Sequence, residues 1–417
     1  MKILVLNAGS SSQKSCLYEL GDTLPTTPPH PVWEAVVDWT HPQGVAEIKL
    51  KTAQGAGLEK ALQSTSRSDV MVHLLDTLWQ GPTQVMDSLA EIDGVGHRVV
   101  HGGQEYSHSV IITPAVKTAI ARLADFAPIH NSANLAGIEA VEQYLGAVPQ
   151  VAVFDTAFHA QMPLPAAIYP VPYEWFEAGI RRYGFHGISH QYCAQRAAQL
   201  LGREDLRLIS CHLGNGCSLA AVRAGRSIDT TMGFTPLDGL MMGTRSGSVD
   251  PGILVHLLRQ KGYSADELDD ILNHESGLWG ISGVSADMRQ IRAAIAQGNS
   301  RAQLAIDMFI HRLRSCIGAM LTSLGGVDAI VFTAGIGENT DSIRAAACEA
   351  LEFLGLKLDP EKNEHHPVDV DIAMPDSTVR VLVIHTQEDW AIAQQCWHLL
   401  SQAPDRNLGS ITTTVRN

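Results

Sequence analysis

One motif constrains this chain more than any other, and it occurs twice. Residues 5–20, VLNAGSSSQKSCLYEL, run as an apolar strand, a stretch of small and polar residues, a lysine, and a second strand-like segment. Residues 208–222, LISCHLGNGCSLAAV, repeat the plan with a GNG turn. A hairpin turn built from small residues frees backbone N–H groups into a concavity that suits an anion. In the first turn Ser10 and Ser12 add hydroxyl donors and Lys14 adds a cation. The stretch is not a P-loop: the GxxxxGK[ST] spacing is absent, and SCLYEL reads as strand rather than helix. The alternative to a phosphate cradle is an ordinary polar hairpin. Two such hairpins suggest two similar domains facing one ligand, although two unrelated hairpins would give the same pattern.

The surrounding sequence alternates strands and helices. GVGHRVV (94–100) and VPQVAVFD (148–155) read as strands, and NLAGIEAVEQYLG (134–146) as a helix with a glycine stop. This is the pattern of an α/β protein, and 417 residues suit two or three domains. The proline-rich stretch 22–43 reads as a surface excursion, QSTSRS (63–68) as an exposed bend, and the polar tail from Ala403 as frayed. The net charge of −14 argues against nucleic acid or an anionic membrane as partner. MKILVL is too short for a signal sequence, and no apolar run is long enough for a membrane span. Seven scattered cysteines without a CxxC pair fit reduced thiols in the cytoplasm.

Several other segments carry chemistry. DAIVFTAGIGENT (328–340) reads as a strand, a glycine turn and then a helix, the geometry of a nucleotide site. Residues 229–253 form a long glycine-rich stretch holding Arg245, and long irregular segments inside compact domains tend to be functional. Arg98, between a strand and two glycines, suits bidentate contact with a carboxylate or phosphate, or else a surface ion pair. His186 and His190 have HxxxH spacing but no partnered cysteine or carboxylate at ligand spacing, which disfavours zinc; Ser189 reads as the start of a helix. Asp155 and Glu388 each follow an apolar strand, where carboxylates often hold metal or substrate.

NAGSSSQK, GHRVVHGG, APIHN, FDTAFH, YGFHGISH, CHLGNG, FTPLDGLMMGTRSG, FTAGIGEN and TQED together closely resemble the acetate kinase family, in that family's order, from residue 7 to residue 389. The resemblance implies a fold of two duplicated actin-like (ribonuclease H-like) domains with a nucleotide cleft between them. The first domain would be 1–155 completed by 387–417, and the second, nucleotide-binding domain 156–386. It implies a phosphotransferase with a carboxyl acceptor, ATP and acetate as substrates, magnesium (with manganese as an alternative) as cofactor, and a homodimer.

By the same resemblance Asn7 and Glu388 bind the metal, while Ser10, Ser12 and Lys14 lie at the phosphates. Arg98 binds the acetate carboxylate, Asp155 is catalytic, and His186 and Arg245 stabilise the transferring phosphoryl group. His212, Leu213, Gly214, Asn215 and Gly216 hold the nucleotide, with Asp287, Met288 and Arg289 and with Gly335, Ile336, Gly337, Glu338 and Asn339. Val100, Ile129, Phe185 and Pro236 form the methyl pocket. Acetate has a pKa near ~4–5, like a side-chain carboxyl, and brings no proton to remove at neutral pH; we therefore expect Asp155 to act through magnesium. The sequence departs from the family at Met288, where phenylalanine is usual, at Ser248 for aspartate, Ile129 for leucine and Ser15 for phenylalanine. A propionate or butyrate kinase, or a non-kinase ATPase of the superfamily, would share much of this pattern.

Overall fold

Each half of the chain is organised around a hairpin and a third strand that pairs parallel to it. The computed structural model describes residues 1–9, 12–39, 45–63, 66–365 and 367–402; Ser10, positions 64 and 65 of the expected bend at 63–68, and the tail from Ala403 lie outside the described residues. Two compact units result. One comprises Met1–Val99, His108–Val153 and Glu388–Asn417, the other Val100–Ser107 and Phe154–Gln387. The segment Val100–Ser107 thus groups with the second unit, where the sequence division put it in the first.

The first unit holds strands β1 (Lys2–Ala8), β2 (Ser12–Glu19), β3 (Trp33–Asp38), β4 (Val45–Thr52), β5 (Gly57–Gln63), β6 (Gly94–Val99), β7 (Val110–Ile111) and β8 (Gln150–Phe154), in the sheet order β5-β4-β3-β2-β1-β6-β8-β7. The second holds β9 (Arg207–Leu213), β10 (Cys217–Arg223), β11 (Arg226–Thr230), β12 (Ala329–Thr333), β13 (Val370–Asp371) and β14 (Arg380–Val383), in the order β11-β10-β9-β12-β14-β13. The hairpins β1–β2 and β9–β10 are antiparallel, and β6 and β12 pair parallel to β1 and β9. The two sheets therefore share one plan, as expected for a duplicated α/β fold.

Burial explains the strand composition. The ILVL run of β1 is buried without a break, as in a strand covered on both faces. Leu4, Leu6, Leu17, Trp33 and Val95 anchor the core of the first unit. In the second, the helix Ser300–Leu324 lays Phe309, Leu313, Ile317 and Leu324 into a core shared with Ile209, Leu219 and Phe332.

Three elements differ from the sequence expectation. The proline-rich stretch contains β3, because WEAVVD alternates and buries Trp33 completely. TAGIGEN makes no loop: the short helix Ala334–Asn339 follows β12 directly. The helix after YGFH spans Gly187–Leu201, starting two residues before Ser189, because Asp155 supplies its N-terminal acceptor. The final helix, Glu388–Gln402, lies against β6 through two glycines. A Cβ on Gly94 would come within 2.2 Å of Leu400, and one on Gly96 within 2.4 Å of the Cys396 Sγ. The two glycines of GVGHR thus set where Glu388 emerges.

Candidate functional site

In the first unit the end of β1 meets the start of the last helix. The Asn7 side-chain amide donates to Glu388 Oε2 at 3.2 Å and to Asp389 Oδ1 at 2.9 Å. Asp389 is a member of this cluster that the sequence reading passed over, although it is the last letter of TQED. Burial pushes its carboxyl above the usual range, with the Asn7 amide and Lys14 partly opposing that. Lys14 pairs with Asn7 in register across the hairpin and is exposed. Gly9 closes the turn by donating to the Ser12 carbonyl at 2.8 Å. Arg98, on β6, lines a small pocket of about 30 Å³ with Gln13, Arg67, Met71 and Asn134.

Two carboxylates and a side-chain amide form a hard, oxygen-rich donor set of the kind magnesium takes alongside phosphate oxygens and water. Asp389, held above its ordinary pKa by burial, would regain a partner for its charge there. The residues fit the ion. Among the described residues no cluster of three or more His, Cys, Asp or Glu side chains makes an all-protein metal cage.

In the second unit the site is assembled around β9–β10. Asp155 is completely buried; its Oδ2 accepts from the His186 backbone N–H at 3.0 Å and its Oδ1 lies 3.4 Å from the Ile188 nitrogen. Its carbonyl accepts from Gly187 at 2.9 Å, and a Cβ on Gly187 would sit 2.2 Å from that oxygen. The carboxylate therefore anchors the segment carrying His186. His186 itself has φ +54°, a conformation that costs energy for a residue with a Cβ and that clusters at functional sites. Its ring stacks on His212 with centroids 4.1 Å apart.

Arg245 donates Nη1 to the Pro236 carbonyl at 2.6 Å, and that bond fixes its direction. Its Nη2 would lie 2.5 Å from a Cβ on Gly216, and the His186 ring 3.3 Å from the same point. Gly216 is a glycine because two catalytic candidates crowd its backbone. Val100 and Phe185 are buried in one core cluster, whereas Pro236 is half-buried. The Ile129 side chain lies outside the described residues.

Three segments, the GNG turn, the start of the helix Met288–Ala296 and the short helix Ala334–Asn339, meet at a groove of about 700 Å³ lined by Gly214, Asn215, Asp287, Met288, Arg289, Gly335, Ile336 and Asn339, all sequence candidates, and also by Ala286, Arg292 and Thr340. Asn215 is fixed by Gly243, whose N–H donates to its carbonyl at 3.0 Å. Asp287 caps the helix Met288–Ala296 and binds the Arg289 guanidinium, which holds its carboxyl below the usual range. Gly337 and Glu338 do not line the groove. The Glu338 side chain turns inward instead, accepting from Ala334 N–H at 2.8 Å and Thr386 N–H at 3.1 Å, and meeting His385 Nδ1 at 2.5 Å. Burial raises its pKa, but these donors outweigh that and leave it below the ordinary value. It pins Ala334, which has φ +66°. Arg344, almost fully buried, donates to the carbonyls of Gly337 and Glu338 and to Asn363, closing the end of the same turn. Sequence reading missed Arg344 because it lies in a helix whose other cues mark only packing.

Residues 2–394 match the acetokinase family pattern. The chain belongs to the acetokinase family. It is similar to the acetate kinase of Trichormus variabilis, at 67% identity over 405 residues that cover 96% of this chain and all of that protein. Its fold is similar to the crystal structure of Porphyromonas gingivalis acetate kinase, with a TM-score of 0.87 at 40% identity, covering 96% of this chain and 99% of that one. A propionate kinase from Francisella tularensis gives the same TM-score and identity, over 95% of this chain and 99% of that one. Membership makes this protein a kinase that uses ATP and ADP, and accounts for a glycine-rich groove beside paired histidine and arginine side chains. No helix among the described residues is long and apolar enough to cross a membrane.

Proposed function

We propose that the protein is an acetate kinase, transferring the γ-phosphoryl group of ATP to acetate to give acetyl phosphate and ADP, and running the reaction in both directions. The observation that carries the reading is the convergence of Arg245 and His186 on Gly216, in the hairpin whose Gly214 and Asn215 line the groove. Phosphoryl transfer asks a protein chiefly for positioning and for stabilisation of spread negative charge. An acetate oxygen attacks the γ-phosphorus, and the bond to the bridging oxygen breaks with its electrons leaving on ADP.

The groove holds the nucleotide, with Met288 against the base and the amides of the second hairpin toward the phosphates. Ser10, Ser12 and Lys14 act on the phosphates from the first hairpin. Arg98 takes the acetate carboxylate, and Val100, Ile129, Phe185 and Pro236 surround the methyl group. Arg245 and His186 donate to the phosphoryl oxygens. Asp155 takes no proton from acetate, which is already an anion, and acts by holding His186. Asn7, Glu388 and Asp389 would hold magnesium, or manganese, which when bound neutralises charge on the phosphates. Seven cysteines, none of them in a disulfide, suit a reducing compartment, so we place the protein in the cytoplasm, and we expect a homodimer.

The test is to trap acyl phosphate with hydroxylamine across acetate, propionate and butyrate, with ATP and magnesium. Acetate should give the highest kcat/KM. A clear preference for propionate would move the protein to the propionate kinases, and no acyl phosphate from any acid would refute carboxylate kinase activity.

A further inference from the structure

We propose that Ser210, His190 and Ser218 form a one-way hydrogen-bond chain that holds His186 with its proton on Nε2, the nitrogen facing Gly216 and Arg245. The proposal rests on the reading of His186 as a phosphoryl contact, and it assigns positioning roles to three residues behind it.

His190 is completely buried, and burial keeps its imidazole well below its usual pKa, so the ring is neutral and carries a single N–H. Its Nδ1 lies 2.9 Å from Ser210 Oγ and its Nε2 2.8 Å from Ser218 Oγ. Ser218 Oγ also lies 2.9 Å from His186 Nδ1. Each hydroxyl has one proton to donate and two lone pairs; an arrangement in which both rings donate to Ser218 would leave the proton of that completely buried hydroxyl without an acceptor among the described residues, so two directions remain.

In one direction Ser210 donates to His190 Nδ1, His190 Nε2–H donates to Ser218, and Ser218 donates to His186 Nδ1. A neutral His186 then carries its proton on Nε2. In the reverse direction His190 Nδ1–H donates to Ser210, Ser218 donates to His190 Nε2, and His186 must donate from Nδ1. The reverse order leaves the Ser210 proton without an acceptor among the described residues, and Ser210 is completely buried. Buried donors are almost always paired. The forward order gives each of the buried protons of Ser210, His190 and Ser218 an acceptor, and it leaves the His186 Nε2–H to face the space beside Gly216.

The chemical consequence lies at Nε2. A Cβ placed on Gly216 would be 3.3 Å from this nitrogen and 2.5 Å from Arg245 Nη2, so the ring and the guanidinium face the same small space. With Nε2 protonated, His186 offers a phosphoryl oxygen an N–H donor without itself becoming an imidazolium. The reverse order would offer a bare lone pair to an anion, which repels it. Ser218 lies on β10 and His190 on the helix that begins beside His186, so the chain also ties the second hairpin to that helix.

The direct test is the tautomer. The full-length protein labelled with ¹⁵N-histidine is examined by long-range proton–nitrogen correlation, with the His186 signals assigned by their loss in His186→Gln. The expected pattern is a protonated Nε2 and an unprotonated Nδ1; a protonated Nδ1 with a bare Nε2 overturns the proposal. The kinetic arm uses Ser218→Ala and Ser218→Thr. Loss of a donor aimed at the transition state lowers kcat rather than binding, so Ser218→Ala should lose about tenfold or more in kcat while KM for acetate and ATP stays nearly constant. Ser218→Thr, which keeps the hydroxyl, should recover part of it. A folded Ser218→Ala protein with undiminished kcat overturns the positioning role. The spectrum is read on resting protein, so the relay is judged separately from the identity of the acceptor acid.

Discussion

Asn7 donates its side-chain amide to Asp389 across 382 positions of sequence, at 2.9 Å. Asp389 is a half-buried carboxyl whose pKa desolvation has raised, so the sign of its effect on stability is fixed. An acid with a raised folded pKa makes the folded state less stable as pH rises from the ordinary carboxylate value through the raised one, and the loss persists above it. A bound cation relieves that cost. Without a divalent ion near neutral pH, Asp389→Asn should therefore melt no lower than the wild type. On adding magnesium and ADP it should gain less in melting temperature, and its half-saturating magnesium for kcat should rise several-fold. Equal ligand-induced gains in the two proteins would remove Asp389 from the metal site.

Gly216→Ala separates activity from folding. Its Cβ would fall 2.5 Å from Arg245 Nη2 and 3.3 Å from the His186 ring. The guanidinium is the flexible end of a long side chain and can move aside, so the fold should survive. Displacing one preorganised donor costs about 100-fold in kcat. We expect that loss with little change in melting temperature. A variant with near-normal kcat would show that Arg245 does not act from its place beside Gly216.

Val100 sets the size of the acyl pocket in the proposed reading. It is 4% exposed and shares a core cluster with Phe185. One methylene in a tight apolar pocket is worth about 1–3 kcal/mol of discrimination. Val100→Ala should narrow the preference for acetate over propionate by roughly tenfold, chiefly through better use of propionate. An unchanged ratio of kcat/KM values would place the methyl pocket elsewhere.

Buried histidines should govern acid stability. Burial lowers His97, His101 and His159 to about 4 from an ordinary 6.5. The unfolded chain therefore takes up protons that the folded chain refuses between these values. Stability is full above about pH 6.5 and falls as the pH drops toward 4, by roughly 2 kcal/mol per histidine at pH 5. His159 donates Nε2–H to the Phe185 carbonyl and meets Ser227 Oγ with Nδ1. His159→Gln should lower stability at neutral pH yet flatten the slope of the urea midpoint between pH 7 and 5 by about a third of the three-histidine total. A slope as steep as wild type would mean His159 does not titrate on unfolding.

The sequence by itself determined the α/β class, the doubled hairpin and most of the glycines that matter. Those features are local: an apolar strand, a turn of small residues and a second strand each declare themselves within a few positions. Two of the three groove segments, the GNG turn and the segment of Gly335 and Gly337, were also legible, because their glycines mark a backbone that must turn sharply or approach a ligand; Asp287–Arg289 came only through the family resemblance. Tertiary structure alone decided which side chains meet. Asp389 joins Asn7 because Gly94 and Gly96 let the last helix lie against β6. Glu338, which reads as a nucleotide contact, turns inward because Ala334 and Thr386 present unpaired backbone N–H groups there. The direction of the Ser210–His190–Ser218–His186 chain depends on counting buried protons against acceptors from three separate elements. Hydrogen bonding in a buried network is settled by what surrounds each group in space, and spacing along the chain carries no record of that.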